Sequence, residues 1–389
     1  MRRSLWTLLF FFLLFLSACA SRYACTDPLG CVTVASGEAL RIGAALTLTG
    51  PDAPYGVDAL RGVEIAIADK SQILGHPIEL LKEDDQCDPK AGEEAARRLA
   101  ADPSIIGVIG ETCSGGSIPA ARILSEAGKV LISPSSTAPS LTDPKTRQPG
   151  FFRTIYNDKA QGTLTAEFLF KALGIQTLVT VHDGSPYSEQ LQQATCARFE
   201  ELGGICLEQI QIQSGESVQS AIQRIAQLSP EAVYFPLYTT DGVALTRGLF
   251  EAGLTNIALI SSDGLFSKDF IEQTMPASNG MYISGPDVPR YDRVFLQKYT
   301  QRYGEQPLAA YSAPAYDATM MLFAAIEKVA VKSGDTLYIP RQALREALAA
   351  TKDFKGLSGV LTCTPTGDCG APIIKIYQVR KGEFYAVYP

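Results

Sequence analysis

The chain has 389 residues, 46% hydrophobic and 19% charged, a globular balance with material for two or three domains. Lys plus Arg number 34 and Asp plus Glu 41, a net charge of −7 with no basic block, which argues against nucleic-acid binding. Two histidines, His76 and His182, leave little for zinc sites or histidine-based triads, and nine cysteines are many for a reduced cytosolic protein.

Arg2 and Arg3 precede an apolar run from Leu5 to Leu16. That run is about twelve residues, whereas a membrane span needs about twenty, so it reads as the core of a secretion signal. Leu16-Ser17-Ala18-Cys19 follows and resembles a bacterial lipobox. The resemblance implies a lipoprotein signal peptide over 1–18, cleavage before Cys19 and a diacylglycerol on its sulfur. Residues 19–38, with Ser, Thr, Pro and Gly, read as a tether between lipid and folded body. No later segment is apolar for long enough to span a membrane.

From Arg41 onward, short β-type runs alternate with helical patterns. Arg41–Thr47 reads as a strand, and Tyr55–Lys70 as a helix with Val57, Leu60, Val63 and Ile67 at helical spacing. Then come a strand at Ile78–Glu83, a helix at Pro89–Ala101, a strand at Ile105–Gly110, a helix at Ser117–Ala127 and a strand at Val130–Ser133. A second series follows Phe151–Thr154. Its helices are predicted at 159–173, 187–202, 217–228, 241–252 and 266–274, and its strands at Thr177–His182, Ile205–Ile212, Ala232–Pro236, Ile257–Ser261 and Gly280–Ser284. The remainder is helical at 290–304, 314–332 and 340–350, then stranded at Gly359–Thr362, Ile373–Val379 and Phe384–Val387. Repeated βα units imply parallel sheets covered on both faces, and two series imply two similar α/β lobes.

With Cys19 lipidated, eight cysteines remain, and sequence alone does not determine their pairing. Nearest-neighbour pairing is the simplest solution for an exported protein: Cys25–Cys31, Cys196–Cys206 and Cys363–Cys369, with Cys87–Cys113 as the remaining pair. No C-x-x-C spacing occurs, so no metal site is expected.

Motifs of nucleophile elbows, phosphate loops, zinc proteases and dinucleotide folds are absent. His182-Asp183 is no acid–base pair, because adjacent strand residues point to opposite faces. The chain is therefore read as a binding protein, not an enzyme, with no cofactor. In open α/β sheets ligands bind at the carboxyl ends of strands. Those ends carry Thr47-Leu48-Thr49-Gly50-Pro51, Thr112-Cys113-Ser114-Gly115-Gly116-Ser117, Ser133-Pro134-Ser135-Ser136-Thr137, Asp183-Gly184-Ser185-Pro186-Tyr187, Tyr238-Thr239-Thr240-Asp241 and Ser262-Asp263-Gly264. Hydroxyls beside helix N-termini suit an anion, and a lone acid suits an ammonium. Helix capping is the alternative role for any single Ser or Thr.

At these loops the chain resembles the type I periplasmic solute-binding proteins, in their leucine/isoleucine/valine-binding branch. The matching segments are Ala45-Leu46-Thr47-Leu48-Thr49-Gly50-Pro51, Asp84-Asp85-Gln86-Cys87-Asp88-Pro89, Gly110-Glu111-Thr112-Cys113-Ser114, Ile132-Ser133-Pro134-Ser135-Ser136-Thr137, His182-Asp183 with Tyr187, and Tyr316-Asp317-Ala318, collinear over roughly 41–380. The resemblance implies two lobes, 39–157 plus 287–364 and 158–286 plus 365–389, joined by crossovers near 156–159, 285–290 and 362–372. It implies a ligand held between lobes that close by hinge motion, and it supports the Cys87–Cys113 bond. It assigns Ser114 to an α-carboxylate, Ser135, Ser136 and Thr137 to the ligand's carboxylate and amino group, and Tyr187 to the ligand backbone. Asp263 would hold the ammonium, where the family often has Glu, and Tyr55 and Tyr238 would wall the side-chain pocket. Phe266 is a weaker candidate with core packing as its alternative. The partners implied are an amino acid or related small zwitterion or amide, the permease and ATPase of an ABC importer, and a membrane reached through the lipid anchor. The protein would then be an extracytoplasmic monomer. A sensor of the same fold, reporting ligand to a membrane partner, is the second reading.

Overall fold

The computed structural model describes residues 23–287 and 292–389. The signal peptide over 1–18 and the lipidated Cys19 expected from sequence lie outside the described residues.

The first part of the chain runs β1 (Cys31–Val34), β2 (Leu40–Leu46), α1 (Ala53–Lys70), β3 (Gln72–Ile73), β4 (His76–Asp84), α2 (Pro89–Ala101), β5 (Ile105–Gly110), α3 (Ser114–Glu126), β6 (Val130–Ser133) and β7 (Phe151–Arg153). Six of these strands form one sheet in the order β3-β4-β2-β5-β6-β7. All its pairings are parallel except that of the short edge strand β3. Parallel strands are covered on both faces and so read as unbroken apolar runs. β5 (IIGVIG) is buried at every position. Alternation then divides its neighbours between two cores: Val130 and Ile132 pack with Ile42 on one face, and Leu131 packs with Val108 and Leu124 on the other.

The second part runs α4 (Asp158–Glu167), which ends in a π-helical turn, then β8 (Thr177–His182), α5 (Pro186–Glu201), β9 (Ile205–Gln211), α6 (Gln219–Leu228), β10 (Ala232–Tyr234), α7 (Thr239–Glu251), β11 (Ala258–Ser261), α8 (Lys268–Thr274) and β12 (Tyr282–Pro286). α9 (Arg293–Tyr303), α10 (Ser312–Val329), β13 (Val331–Ser333), β14 (Thr336–Pro340), α11 (Arg341–Ala349), β15 (Phe354–Lys355), β16 (Val360–Leu361), β17 (Ile374–Arg380) and β18 (Glu383–Tyr388) complete the chain. A seven-stranded sheet has the order β18-β17-β12-β11-β10-β8-β9. Its βα strands are parallel, and the two C-terminal strands add antiparallel at one edge. The chain thus leaves the first sheet after β7. It returns after β12, where α10 packs along α1, and crosses again between β16 and β17. α1 and α10 approach closely because Gly62 has no side chain, since a Cβ there would lie 2.0 Å from the Ser312 carbonyl oxygen.

Among the described residues four disulfides are present: Cys25–Cys31, Cys87–Cys113, Cys196–Cys206 and Cys363–Cys369. The stretch read as a tether, 19–38, is partly folded. β1 pairs antiparallel with β14, and Val32 and Val34 are buried in the core of the first sheet. Their alternation with exposed Thr33 is a half-buried edge-strand pattern inside a polar composition. α3 begins at Ser114, three residues before the predicted start. The helix expected over 266–274 begins only at Lys268, after a 3₁₀ turn at Asp263–Leu265, because the Ser267 hydroxyl caps it by accepting from Phe270 N at 3.2 Å. The predicted helix at 314–332 gives way to the β13–β14 hairpin.

Asp58 fastens α1 to the segment entering α10. Its buried carboxylate accepts from Tyr299 Oη at 2.8 Å, Leu308 N at 3.2 Å, Tyr311 N at 2.9 Å and Ser312 N at 2.7 Å. Each buried donor left unpaired costs about 1–3 kcal/mol. Asp58→Ala is therefore expected to lower unfolding stability by about 3 kcal/mol or more in urea titration. A loss below about 1 kcal/mol would show that water replaces the carboxylate.

Candidate functional site

The carboxyl ends of β2, β5 and β6 face those of β8, β10 and β11 across a narrow cleft. A cavity of about 20 Å³, room for about one water molecule, lies there. Tyr55, Thr112, Cys113, Ser114 and Ser135 line one side, and Tyr187, Tyr238, Asp263 and Gly264 the other, with Tyr311 between them. Tyr55, Ser114, Ser135, Tyr187, Tyr238 and Asp263 are thus brought together as the sequence places them. Ser136 and Thr137 are not on this wall. The Ser136 hydroxyl turns away to Ser117 Oγ at 2.8 Å and the Glu111 carbonyl at 3.1 Å. Thr137 is buried, its hydroxyl without a hydrogen-bond partner. A larger groove of about 550 Å³ lies at the opposite, amino end of β11, lined by Leu254, Thr255, Ile257, Met275, Asn279 and Lys381 among others, with no carboxylate on its walls. Among the described residues no three His, Cys, Asp or Glu are grouped to hold a metal, and no helix is long and apolar enough to cross a membrane.

On the first-sheet side, Asp85 holds the strand ends in place. Its carboxylate accepts from the Thr47 hydroxyl, from Thr112 N at 2.8 Å and from Cys87 N at 3.0 Å, and the Cys87–Cys113 bond closes the same loop. Burial pushes Asp85 up, against these donors. The result sets Ser114 at the first position of α3, whose opening N–H groups and positive end favour an anion. Ser114 Oγ accepts from Ala138 N at 3.2 Å, and Ser135 Oγ donates to the Thr112 carbonyl at 2.7 Å. Behind this loop Arg153 is fully buried. It donates to the carbonyls of Ser136 at 3.1 Å and Ala138 at 3.0 Å, to Thr142 Oγ1 at 2.6 Å, and to Asp368 Oδ1 at 2.6 Å. The structure thus commits Arg153 to the two carbonyls that bracket Thr137. No Lys or Arg lines the cavity.

On the second side, Asp263 is buried in the 3₁₀ turn after β11. Oδ1 accepts from Gln161 Nε2 at 2.9 Å and Tyr187 Oη at 2.8 Å, and Oδ2 from Tyr311 Oη at 3.0 Å. Burial raises its pKa, and these donors oppose the rise. Tyr187 Oη also accepts from Gly264 N at 3.0 Å, and its ring lies 5.0 Å from that of Tyr238. The two sides already touch. Tyr55 Oη donates to the Gly264 carbonyl at 2.7 Å, Thr239 N to Asp52 Oδ1 at 3.1 Å, and Ser140 N to Gln190 Oε1 at 2.9 Å. Phe266 is a core residue, stacked on Phe384 with centroids 4.3 Å apart. His182 is pushed down by burial, while Asp183 accepts from Ser185 N at 2.8 Å, so the two do not pair.

Sequence reasoning passes over Tyr311 and Gln161. Tyr311 precedes α10 and sits at no strand end; Gln161 lies one turn into α4. The residue signal available was the polar Asp158–Gln161 spacing on an otherwise small-residue helix face.

A profile of the periplasmic binding protein family matches residues 39–383. The Leu/Ile/Val-binding protein homolog 1 of Brucella melitensis is 31% identical over 348 residues, covering 88% of this chain and 90% of that protein. The Leu/Ile/Val-binding protein BraC3 of Rhizobium johnstonii is 29% identical over 352 residues, covering 89% and 93%. The crystal structure of a leucine-binding protein from Thermotoga maritima superimposes with a TM-score of 0.81 at 26% identity, covering 90% of this chain and 97% of that one. A branched-chain amino acid transporter substrate-binding protein of Streptococcus pneumoniae, in complex with isoleucine, gives 0.78 at 21%, covering 90% and 100%. A solute-binding protein of R. palustris, in complex with benzoate, gives 0.79 at 24%, covering 90% and 96%. The last two likenesses bear on the fold alone, which is the type I periplasmic binding fold.

Arg153→Met removes the guanidinium donors from the Ser136 and Ala138 carbonyls and from Asp368 in one step. Breaking a buried pair costs about 3–5 kcal/mol. A loss of about that size is expected in chemical unfolding; a loss under about 1 kcal/mol would mean the loop holds its shape without the guanidinium.

Proposed function

The chain belongs to the periplasmic binding protein family, and we propose that within it this protein is the extracytoplasmic receptor of an ABC importer for an L-amino acid, branched-chain or a related small zwitterion. One observation carries the reading. The cavity holds a single ionisable carboxylate, Asp263, opposite hydroxyls and the start of α3, with no Lys or Arg on its walls. A desolvated ammonium needs an acid partner, whereas a carboxylate can be met by neutral donors and a helix end. The site is complementary to a zwitterion and mismatched to phosphates, sugar acids and dicarboxylates.

In this reading Ser114, Ser135 and the α3 amides take the α-carboxylate. Asp263 takes the ammonium, with Thr137 beside it, and Tyr187 lies over the ligand backbone while Tyr55 and Tyr238 wall its side chain. The lobes are 39–157 plus 287–364 and 158–286 plus 365–389, with β1 added to the first. A cavity of about 20 Å³ admits no amino acid as it stands. Entry therefore parts the walls at the Tyr55–Gly264 and Thr239–Asp52 contacts, with movement at the crossovers. Four disulfides fit an oxidising compartment. A lipid on Cys19 would hold a monomer beside the permease and ATPase.

Thermal unfolding of the oxidised body from residue 20 tests this against a panel of L-amino acids, with benzoate as the contrasting anion. A ligand at one hundred times its Kd stabilises by about 2.7 kcal/mol. A clear upward shift is expected with leucine, isoleucine or valine and none with benzoate. Asp263→Ala should weaken binding by about 2–5 kcal/mol, the cost of leaving a buried ligand charge unpaired. No shift with any amino acid, or a shift with benzoate alone, overturns the proposal.

A further inference from the structure

Asp158 stands at the first position of α4, fully buried, and neither of its carboxylate oxygens has a hydrogen-bond partner. Its N–H donates to the Thr137 carbonyl at 3.0 Å, which ties it to the loop behind Ser114 and Ser135. The Thr137 hydroxyl is itself without a partner. One turn along the same helix face, Gln161 gives its Nε2 to Asp263 and Ser284 and leaves its Oε1 unpartnered. Buried polar atoms in folded proteins are nearly always paired. Here two Asp158 oxygens, Gln161 Oε1 and Thr137 Oγ1 are left over beside Asp263, and once Asp158 is ionised its two oxygens and Gln161 Oε1 can only accept. Such a surplus of acceptors fits a group that only donates, and an ammonium offers three N–H bonds and no acceptor.

The charged groups facing Asp158 are few. Asp263 approaches from the turn after β11 and Arg153 from β7; Tyr187 of α5, Tyr234 of β10 and Tyr238 before α7 present only phenols. Arg153 spends its donors on Asp368, Thr142 and the two loop carbonyls. Asp263 holds three hydrogen bonds, whereas Asp158 holds none of that geometry and the one side-chain donor acting on it is the Thr137 hydroxyl. Burial first, and the neighbouring Asp263 second, push Asp158 well above the usual carboxylate range, with Thr137 and Arg153 only opposing. Two carboxylates in one dry place do not both stay ionised unless a cation joins them.

We propose, building on the amino-acid site above, that Asp158 is a second ligand-binding acid, protonated before binding, which releases its proton to solvent as the ligand's ammonium settles between it and Asp263. The Asp158 O–H bond breaks, the proton passes to the buffer, and the ammonium keeps its three hydrogens. Neither Asp158 nor Thr137 lines the small cavity, so reaching them takes the same parting of the walls that ligand entry requires. The pair selects for ligands bearing a primary ammonium over bare carboxylates of similar shape. Because the bound state holds one proton fewer, affinity rises with pH while Asp158 is protonated in the free protein, by up to about tenfold per pH unit.

Titration calorimetry with L-leucine, or with isoleucine or valine if either binds more tightly, decides the matter. Run at one pH in buffers of different ionisation enthalpy, it counts the protons released. Release of close to one proton, and an affinity that climbs between pH 5 and pH 7, are expected for the native protein. Asp158→Asn should abolish both, while Asp263→Asn weakens binding at every pH. Binding with no proton release and a flat pH profile overturns the role of Asp158 and leaves the amino-acid site standing; so does an Asp158→Asn variant that still releases the proton. If Asp158→Asn does not fold, the native proton count alone decides. If no amino acid binds the native protein, the site assignment itself falls, and this inference with it.

Discussion

A carboxylate buried where two sheets meet is the constraint on which the rest of the site depends. Asp263 sits in a dry turn at the end of β11, and removal from water is expensive for its charged form. The structure offsets this with donors drawn from three separate elements: Gln161 from α4, Tyr187 from α5 and Tyr311 from the segment entering α10. The last of these lies between the two walls of the cavity. The charge thus gathers donors from three elements, and in the function proposed above a ligand ammonium would complete what these neutral donors begin. Exclusion of Lys and Arg from the cavity wall follows from the same logic. A resident cation would satisfy Asp263 and leave nothing for a ligand to do.

The opposite wall is built by geometry rather than charge. β2, β4 and β5 end in step because the Asp85 carboxylate collects the Thr47 hydroxyl and the Thr112 and Cys87 amides. The disulfide from Cys87 to Cys113 then leaves α3 only one place to start, with Ser114 at its tip. Arg153 performs the matching task from behind. It joins the carbonyls on either side of Thr137 to Asp368, next to the Cys363–Cys369 bond in the crossover that leads to β17. One fully buried guanidinium therefore connects the crossover to the loop that carries Thr137 through two carbonyl hydrogen bonds.

Much of this was legible in the chain itself. Apolar runs such as Ile105–Gly110 and Val130–Ser133 are strands because a parallel sheet buries both faces, and their polar ends locate the cleft without further information. Other features depended on packing that no periodicity encodes. Ser136 is spelled like its neighbour Ser135, yet its hydroxyl faces Ser117 and the Glu111 carbonyl instead of the cavity. Tyr311 is an ordinary loop tyrosine until the return of the chain after β12 carries it across to Asp263. β1 hides in a polar, disulfide-closed stretch because a four-residue edge strand with two buried valines leaves too short a pattern to separate from a tether. The unpaired oxygens of Asp158 are likewise invisible in sequence, where an acid at the start of a helix reads as ordinary charge–dipole matching.

The proposed function depends on one motion: two lobes that part at Tyr55 and Gly264 to admit a ligand and shut on it. Small-angle X-ray scattering of the oxidised body from residue 20, with and without saturating L-leucine, tests that most directly. The account predicts a smaller radius of gyration once leucine is bound, with the scattering curve moving toward that of the structure described above. An unchanged radius in a sample shown by calorimetry to be saturated would contradict closure and would mean that the cleft is a rigid site.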